Sequence, residues 1–137
     1  MKYVLWIVHA LLGVQNLLAG SLKLSQPYQS QAAMMAWVSA VPEPVIRFIG
    51  ASEFLGGLGL ILPAATRIMP GLTPLAALGI VVLQALAAGF HMLRGEWSYL
   101  PVNLVIALLA AFVAYGRWKL VPIRPRGETT MARPAAA

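Results

Sequence analysis

Four long apolar runs, near residues 3–22, 45–62, 73–92 and 101–118, constrain this chain more than any other feature. A helix rises 1.5 Å per residue, so about 20 apolar residues match the hydrocarbon core of a bilayer. All four runs fit, the second and fourth as short spans. Prolines punctuate them. Pro42 and Pro44 precede the second run, Pro63 follows it, Pro70 and Pro74 frame the third, and Pro101 opens the fourth. Proline is tolerated in the first turn of a helix and disrupts its interior. These positions therefore read as helix ends, with Pro63 closing the second span. Composition agrees. An ordinary soluble domain is about 25% charged, whereas this chain is 10% charged and 60% hydrophobic, with a mean hydropathy of +0.78. Its 137 residues are too few to hide that much apolar surface. The expected fold is all-α: a four-transmembrane-helix bundle forming one domain over residues 1–120. A tail over 121–137, rich in Pro, Arg, Thr and Ala, reads as basic and disordered.

The amino-terminal run ends in Leu17-Leu18-Ala19-Gly20-Ser21, which resembles a bacterial lipoprotein signal. Ser21 stands where a lipidated cysteine would be. The run also exceeds the 7–15 residues of a signal-peptide core, so it reads as a retained first span. Four spans put both termini on one side. That side holds Lys2, Arg67, Arg117, Lys119, Arg124, Arg126 and Arg133, seven basic residues against three (Lys23, Arg47 and Arg94) on the other. The positive-inside rule then places both termini in the cytoplasm. Arg47, Arg94 and Arg117 read as topology markers at helix ends, and Trp97 as an interface anchor. The first external link, 23–44, is long. Its stretch Gln31–Val41 fits a short interfacial helix with Trp37 at headgroup level, and equally an ordered loop capping the bundle.

The net charge of +6 does not indicate nucleic acid. Nucleic-acid binders cluster their basic side chains on a solvated face; here they sit singly at the ends of apolar runs or in the tail. Cysteine is absent, which removes disulfides, thiolate metal sites and thiol–disulfide exchange. No nucleotide loop, metal-ligand spacing or nucleophile motif appears, so no metal site is expected and catalytic residues are unknown.

Polar residues at membrane depth carry what information remains, because burying them there is costly. Glu53 lies about 12 Å into the second span at 1.5 Å per residue. It must be protonated, paired with a cation, or facing a polar cavity. Gly50 and Gly57 share its face, leaving room for a ligand or for close helix approach. As a structural carboxylate it would only hold helices together. Lys23 ends the first span, with Gly20, Asn16 and Gly13 on its face. A snorkelling lysine explains it, and so does a pair with Glu53. His91 lies near the end of the third span, seven residues after Gln84, as a ligand or proton group or as an interfacial histidine bonded to a loop carbonyl. Asn103 opens the fourth span, where a polar residue in the first turn needs no function. If these faces converge, Glu53, Lys23, His91, Asn103, Asn16 and Gln84 line one polar pocket open outward. His9 and His91 lie at opposite depths and cannot bracket one haem, so His9 reads as a packed or interfacial residue.

The stretch Leu18-Ala19-Gly20-Ser21-Leu22-Lys23-Leu24, then Val41-Pro42, then Arg47 through Pro63 with its Gly50-x-x-Glu53-x-x-Gly56 spacing, resembles the DoxX-like family of small four-helix membrane proteins. Pro70-Gly71-Leu72-Thr73-Pro74, His91-Met92-Leu93-Arg94-Gly95-Glu96, Asn103 and Gly116-Arg117 agree with it. The resemblance covers residues 3–118. It implies four spans in the bacterial cytoplasmic membrane and an association with quinone-linked or oxidative-stress enzymes, and it places Lys23, Glu53, His91 and Asn103 on recurring positions. The expected function is an accessory or quinone- or lipid-binding subunit of a membrane redox system, with no intrinsic cofactor. The lipid bilayer, a second copy of the chain, or a membrane redox enzyme would be its partners. The alternatives are a small proton-coupled transporter acting as an oligomer, a membrane enzyme on a lipid-like substrate, and a purely structural assembly protein.

Overall fold

In the computed structural model, residues 1–127 are described. The tail expected to be disordered lies largely outside them, at 128–137. Helix α1 spans Lys2–Ser25, α2 Tyr28–Met34, α3 Glu43–Thr66, α4 Leu72–Leu93 and α5 Leu100–Tyr115. The last runs directly into a π-helical turn, Gly116–Leu120, whose wide loop closes with the Val121 N–H donating to the Gly116 carbonyl at 2.7 Å. Prolines start three of these helices as the sequence predicts. Pro44, Pro74 and Pro101 all sit in first turns, where a missing N–H costs no intrahelical bond.

Pro63 departs from expectation. It does not end α3 but lies inside it, buried, and the helix continues to Thr66. The ring removes the bond to the Gly59 carbonyl and crowds that turn. In an apolar surrounding the chain still gains more by keeping the other helical bonds than by exposing them. The helix stops at Arg67, whose backbone is left-handed at φ 58°.

The long first link is also different from a single helix over Gln31–Val41. It begins earlier, behind Pro27, and breaks at Met35, whose backbone is extended. A 3₁₀ turn follows over Ala36–Ala40. The break lets the link bury both Gln31 and Val38. The Tyr28 hydroxyl ties its two halves together, within 3.0 Å of the Val38 carbonyl and 2.9 Å of the Val41 carbonyl.

The four long helices alternate in direction, so the bundle has two unlike ends. The loop end carries α2 and the 94–99 link. The terminal end carries Lys2, the turn at 67–71 and the π turn, and there the Arg126 N–H donates to the Arg67 carbonyl at 3.0 Å. The closest seam runs between α1 and α3. A Cβ at Gly20 would lie 2.5 Å from the Phe54 nitrogen and 2.6 Å from the Gly50 carbonyl oxygen. Only glycine permits that approach, which is how small residues bring membrane helices together. The core runs down the axis through Leu5, Leu12, Leu60, Ala77, Ile80 and Val113. The exterior is apolar too. Phe48, Leu55, Leu86, Leu104 and Leu108 are each at least 60% exposed. That inverts the pattern of a soluble protein, and it fits four helices long and apolar enough to cross a membrane.

Candidate functional site

The six residues expected to share one pocket are distributed over four places. Lys23 and Glu53 do meet. The ammonium lies 2.8 Å from Glu53 Oε2, and both side chains are nearly buried, at 13% and 11% exposure. The Gly20–Gly50 crossing brings them within reach, because it removes the side-chain bulk that would hold α1 and α3 apart. The glycines on the Glu53 face therefore serve helix approach, and neither member of the pair lines the two cavities described below.

Arg47 anchors the same region from α3. Its Nη1 donates to three carbonyls at the end of α1, Lys23 at 2.6 Å, Leu24 at 3.1 Å and Gln26 at 2.9 Å. The last carbonyls of a helix lack intrahelical partners and carry the negative end of its dipole, so a cation is well placed there. Gln31 Nε2 adds a bond to the Gln26 carbonyl at 2.9 Å. Asn16 is turned onto its own helix instead. It is buried and donates to the Leu12 carbonyl at 2.9 Å and to the Gln15 side chain at 3.0 Å.

His91 belongs to a separate lock at the loop end. Its Nδ1 lies 2.8 Å from Glu96 Oε2, and Arg94 Nε donates to the other oxygen of the same carboxylate at 2.9 Å. The ring stacks on Tyr99 at 4.5 Å and meets Trp37 edge-on at 5.7 Å. The first link is thereby fastened over α4. The hydrogen bond from His91, helped by the hydrogen bond and charge of Arg94, holds the Glu96 carboxyl below its usual range.

Gln84 and Asn103 do come together. They line a cavity of about 580 Å³ between α4 and α5, walled otherwise by Ala85, Ala88, Leu104 and Ala107, with Met92 and Trp97 toward its loop end. Met92, Trp97 and Leu104 are also exposed, so the cavity opens on the bundle exterior. The Asn103 amide nitrogen is buried with no hydrogen-bond partner among the described residues. A smaller hollow of about 270 Å³ lies between α3 and α4, beside Ser52 and Gly79.

Sequence reasoning missed a place where polar groups from all four long helices meet. It lies at the terminal end. His9 of α1 is buried, with Nε2 2.6 Å from the Leu60 carbonyl of α3. That carbonyl lies in the turn disturbed by Pro63, and Thr73 of α4 reaches it at 3.5 Å. Arg117, in the π turn after α5, donates from Nη2 to His9 Nδ1 at 3.2 Å and lies 4.2 Å over the Trp6 ring. Only the unpaired Nδ1 lone pair can accept from a guanidinium, so His9 carries its proton on Nε2, toward Leu60. The signals present in the sequence were Trp6 and His9 three residues apart, and a proline three residues after Leu60.

The family model described as the DoxX-like family matches residues 7–113. No curated protein matches the chain. No solved structure matches it either.

Proposed function

This chain belongs to the DoxX-like family of membrane proteins, and from that premise we propose that it is a ligand-holding accessory subunit of a membrane redox system, whose ligand is a quinone or a lipid lying between α4 and α5. The supporting observation is the Gln84–Asn103 cavity. Its volume falls in the 300–1,000 Å³ range of small-molecule sites, and its walls are apolar with few polar groups, as such sites require. A quinone fits the donor set. Its carbonyl would accept from the Asn103 amide nitrogen that has no partner among the described residues, while its tail would follow the exposed Leu104 side of the groove into the lipid. A bound quinone supplies electron and proton transfer. The chain's own residues bind and orient the ring through Asn103 and Gln84, and Trp97 shields the loop-end mouth. On this reading the Lys23–Glu53 pair is a brace, and the ligand site lies one helix pair away. The charge asymmetry along the sequence supports a cytoplasmic-membrane location with both termini inside.

Extraction of the gently purified protein, followed by quinone and lipid analysis, tests the reading. Wild type should retain a quinone. Ala88→Phe, which fills the groove, should abolish retention. Asn103→Leu should weaken it roughly fivefold, the worth of one hydrogen bond. Retention unchanged in Ala88→Phe overturns the site. Retention of lipid alone, indifferent to Asn103→Leu, removes the quinone and leaves an acyl-chain site.

A further inference from the structure

Arg117 is 3% exposed, yet it has no carboxylate partner among the described residues. Indeed the terminal half of the bundle contains no Asp or Glu among the described residues, while it carries Lys2, Arg67, Arg117, Lys119, Arg124 and Arg126. All three described carboxylates, Glu43, Glu53 and Glu96, are engaged in the other half. A guanidinium offers five N–H donors, and among the described residues one hydrogen bond is made, to His9. Nε is buried with no hydrogen-bond partner among the described residues. A buried cation left in this state is costly, and the usual remedy is a counter-charge.

We propose that the missing counter-charge is a phosphate held against Arg117, supplied by the headgroup of an anionic phospholipid. Two features select a lipid over a phosphate from solution. Arg117 lies three residues before the end of the span Trp97–Leu120, about 5 Å along the axis, which is headgroup depth. Tyr3, Trp6, Tyr115 and Trp118, all exposed to the outside of the bundle, surround this level. Such aromatics mark the membrane–water interface. A phosphate there would also meet Lys119 and the basic segment at Arg124 and Arg126, while its acyl chains lay on the exposed apolar flanks. Arginine suits the role because its planar fork matches phosphate oxygens and is weakly hydrated. The π turn is what carries Arg117 inward. It follows Gly116, where a Cβ would strike Leu5 at 2.7 Å, and turns of this kind recur at functional sites. The Trp6 face and His9 Nδ1 then hold the guanidinium in one orientation.

The test uses the full chain in detergent with phosphatidylglycerol and phosphatidylcholine offered in equal amounts, read by native mass spectrometry. Wild type should retain phosphatidylglycerol at least about fivefold over phosphatidylcholine, the effect of one basic contact near a lipid surface. Arg117→Gln should lose that preference. Arg117→Lys should keep part of it, and Arg124→Gln with Arg126→Gln should lower it less than Arg117→Gln does. Equal retention of the two lipids by wild type overturns the proposal without need of any variant, so a poorly folding Arg117→Gln does not shelter it. A preference that survives Arg117→Gln overturns it as well. Thermal stabilisation by inorganic phosphate with no lipid preference assigns the site to a soluble anion instead. A tightly bound second protein with no lipid preference assigns it to a partner's carboxylates.

Discussion

At the loop end each of the three described carboxylates has a cation close by: Lys23–Glu53 at 2.8 Å, Arg47–Glu43 at 2.7 Å and Arg94–Glu96 at 2.9 Å. At the terminal end six cations stand with no carboxylate among the described residues. Helices of similar length and apolarity thus finish in opposite ways. The loop end neutralises itself and fastens its own links, through Arg47 on the end of α1 and through His91 on Glu96. The terminal end leaves its charge to whatever surrounds it. Its internal order rests on neutral contacts, the His9–Leu60 bond and the Leu5 packing. The loop end should therefore respond strongly to mutation of its charges in any medium, and the terminal end only weakly unless the medium supplies anions.

The largest expected effect is at the buried pair. Glu53→Ala leaves Lys23 buried and uncompensated and should cost about 3–5 kcal/mol, read as lost folded fraction in a denaturant series in neutral detergent. Glu53→Leu combined with Lys23→Met should recover most of that loss, since the charge and its partner leave together. The terminal counterpart, Arg117→Met, strands no charge. It should cost about 1–2 kcal/mol in neutral detergent, for one hydrogen bond and one cation–π contact. If Arg117→Met proves as damaging there as Glu53→Ala, the contrast between the ends fails.

The next effect is the helix cap. Arg47→Gln removes a charged donor from three carbonyls at the end of α1 and should cost roughly 1–3 kcal/mol. Hydrogen exchange should locate the loss at residues 22–26, with the terminal end unchanged. Protection lost equally at both ends would mean that the bundle opens as a single unit.

The smallest effect is in acid. The folded state holds the Glu96 carboxyl below its usual value, chiefly through the His91 hydrogen bond. A depressed carboxyl contributes stability that is complete above the unfolded value, about 4.3, and is lost as pH falls through the folded one. Trp37 and Trp97 fluorescence should therefore change in the range below about pH 4. Glu96→Gln should abolish the change. A transition unaltered by Glu96→Gln would place the acid sensitivity elsewhere.

The four spans were legible because they depend on lengths and on apolar runs, which survive any packing arrangement. The Lys23–Glu53 pair was legible as one option, since both residues sit in the same half of adjacent helices. Helical phase alone could not distribute the remaining groups. Asn16 turned to its own Leu12 carbonyl, His91 to the following link, and Gln84 and Asn103 to a groove of their own. Pro63 read as a stop because proline lacks a donor. Inside an apolar bundle the loss of one bond is cheaper than ending the helix, so α3 runs on to Thr66, and the Leu60 carbonyl in the turn before the proline meets the His9 ring.

What the sequence determined by itself is the class of the fold and the direction of its charge. Hydrophobicity and the sign of charge are properties of residues and need no neighbours. Which polar groups meet was decided by the tertiary structure. The Gly20–Gly50 crossing sets how near α1 comes to α3, and the π turn at Gly116 rotates Arg117 inward toward His9. Both depend on distances and rotations between helices, and these are set only when side chains pack.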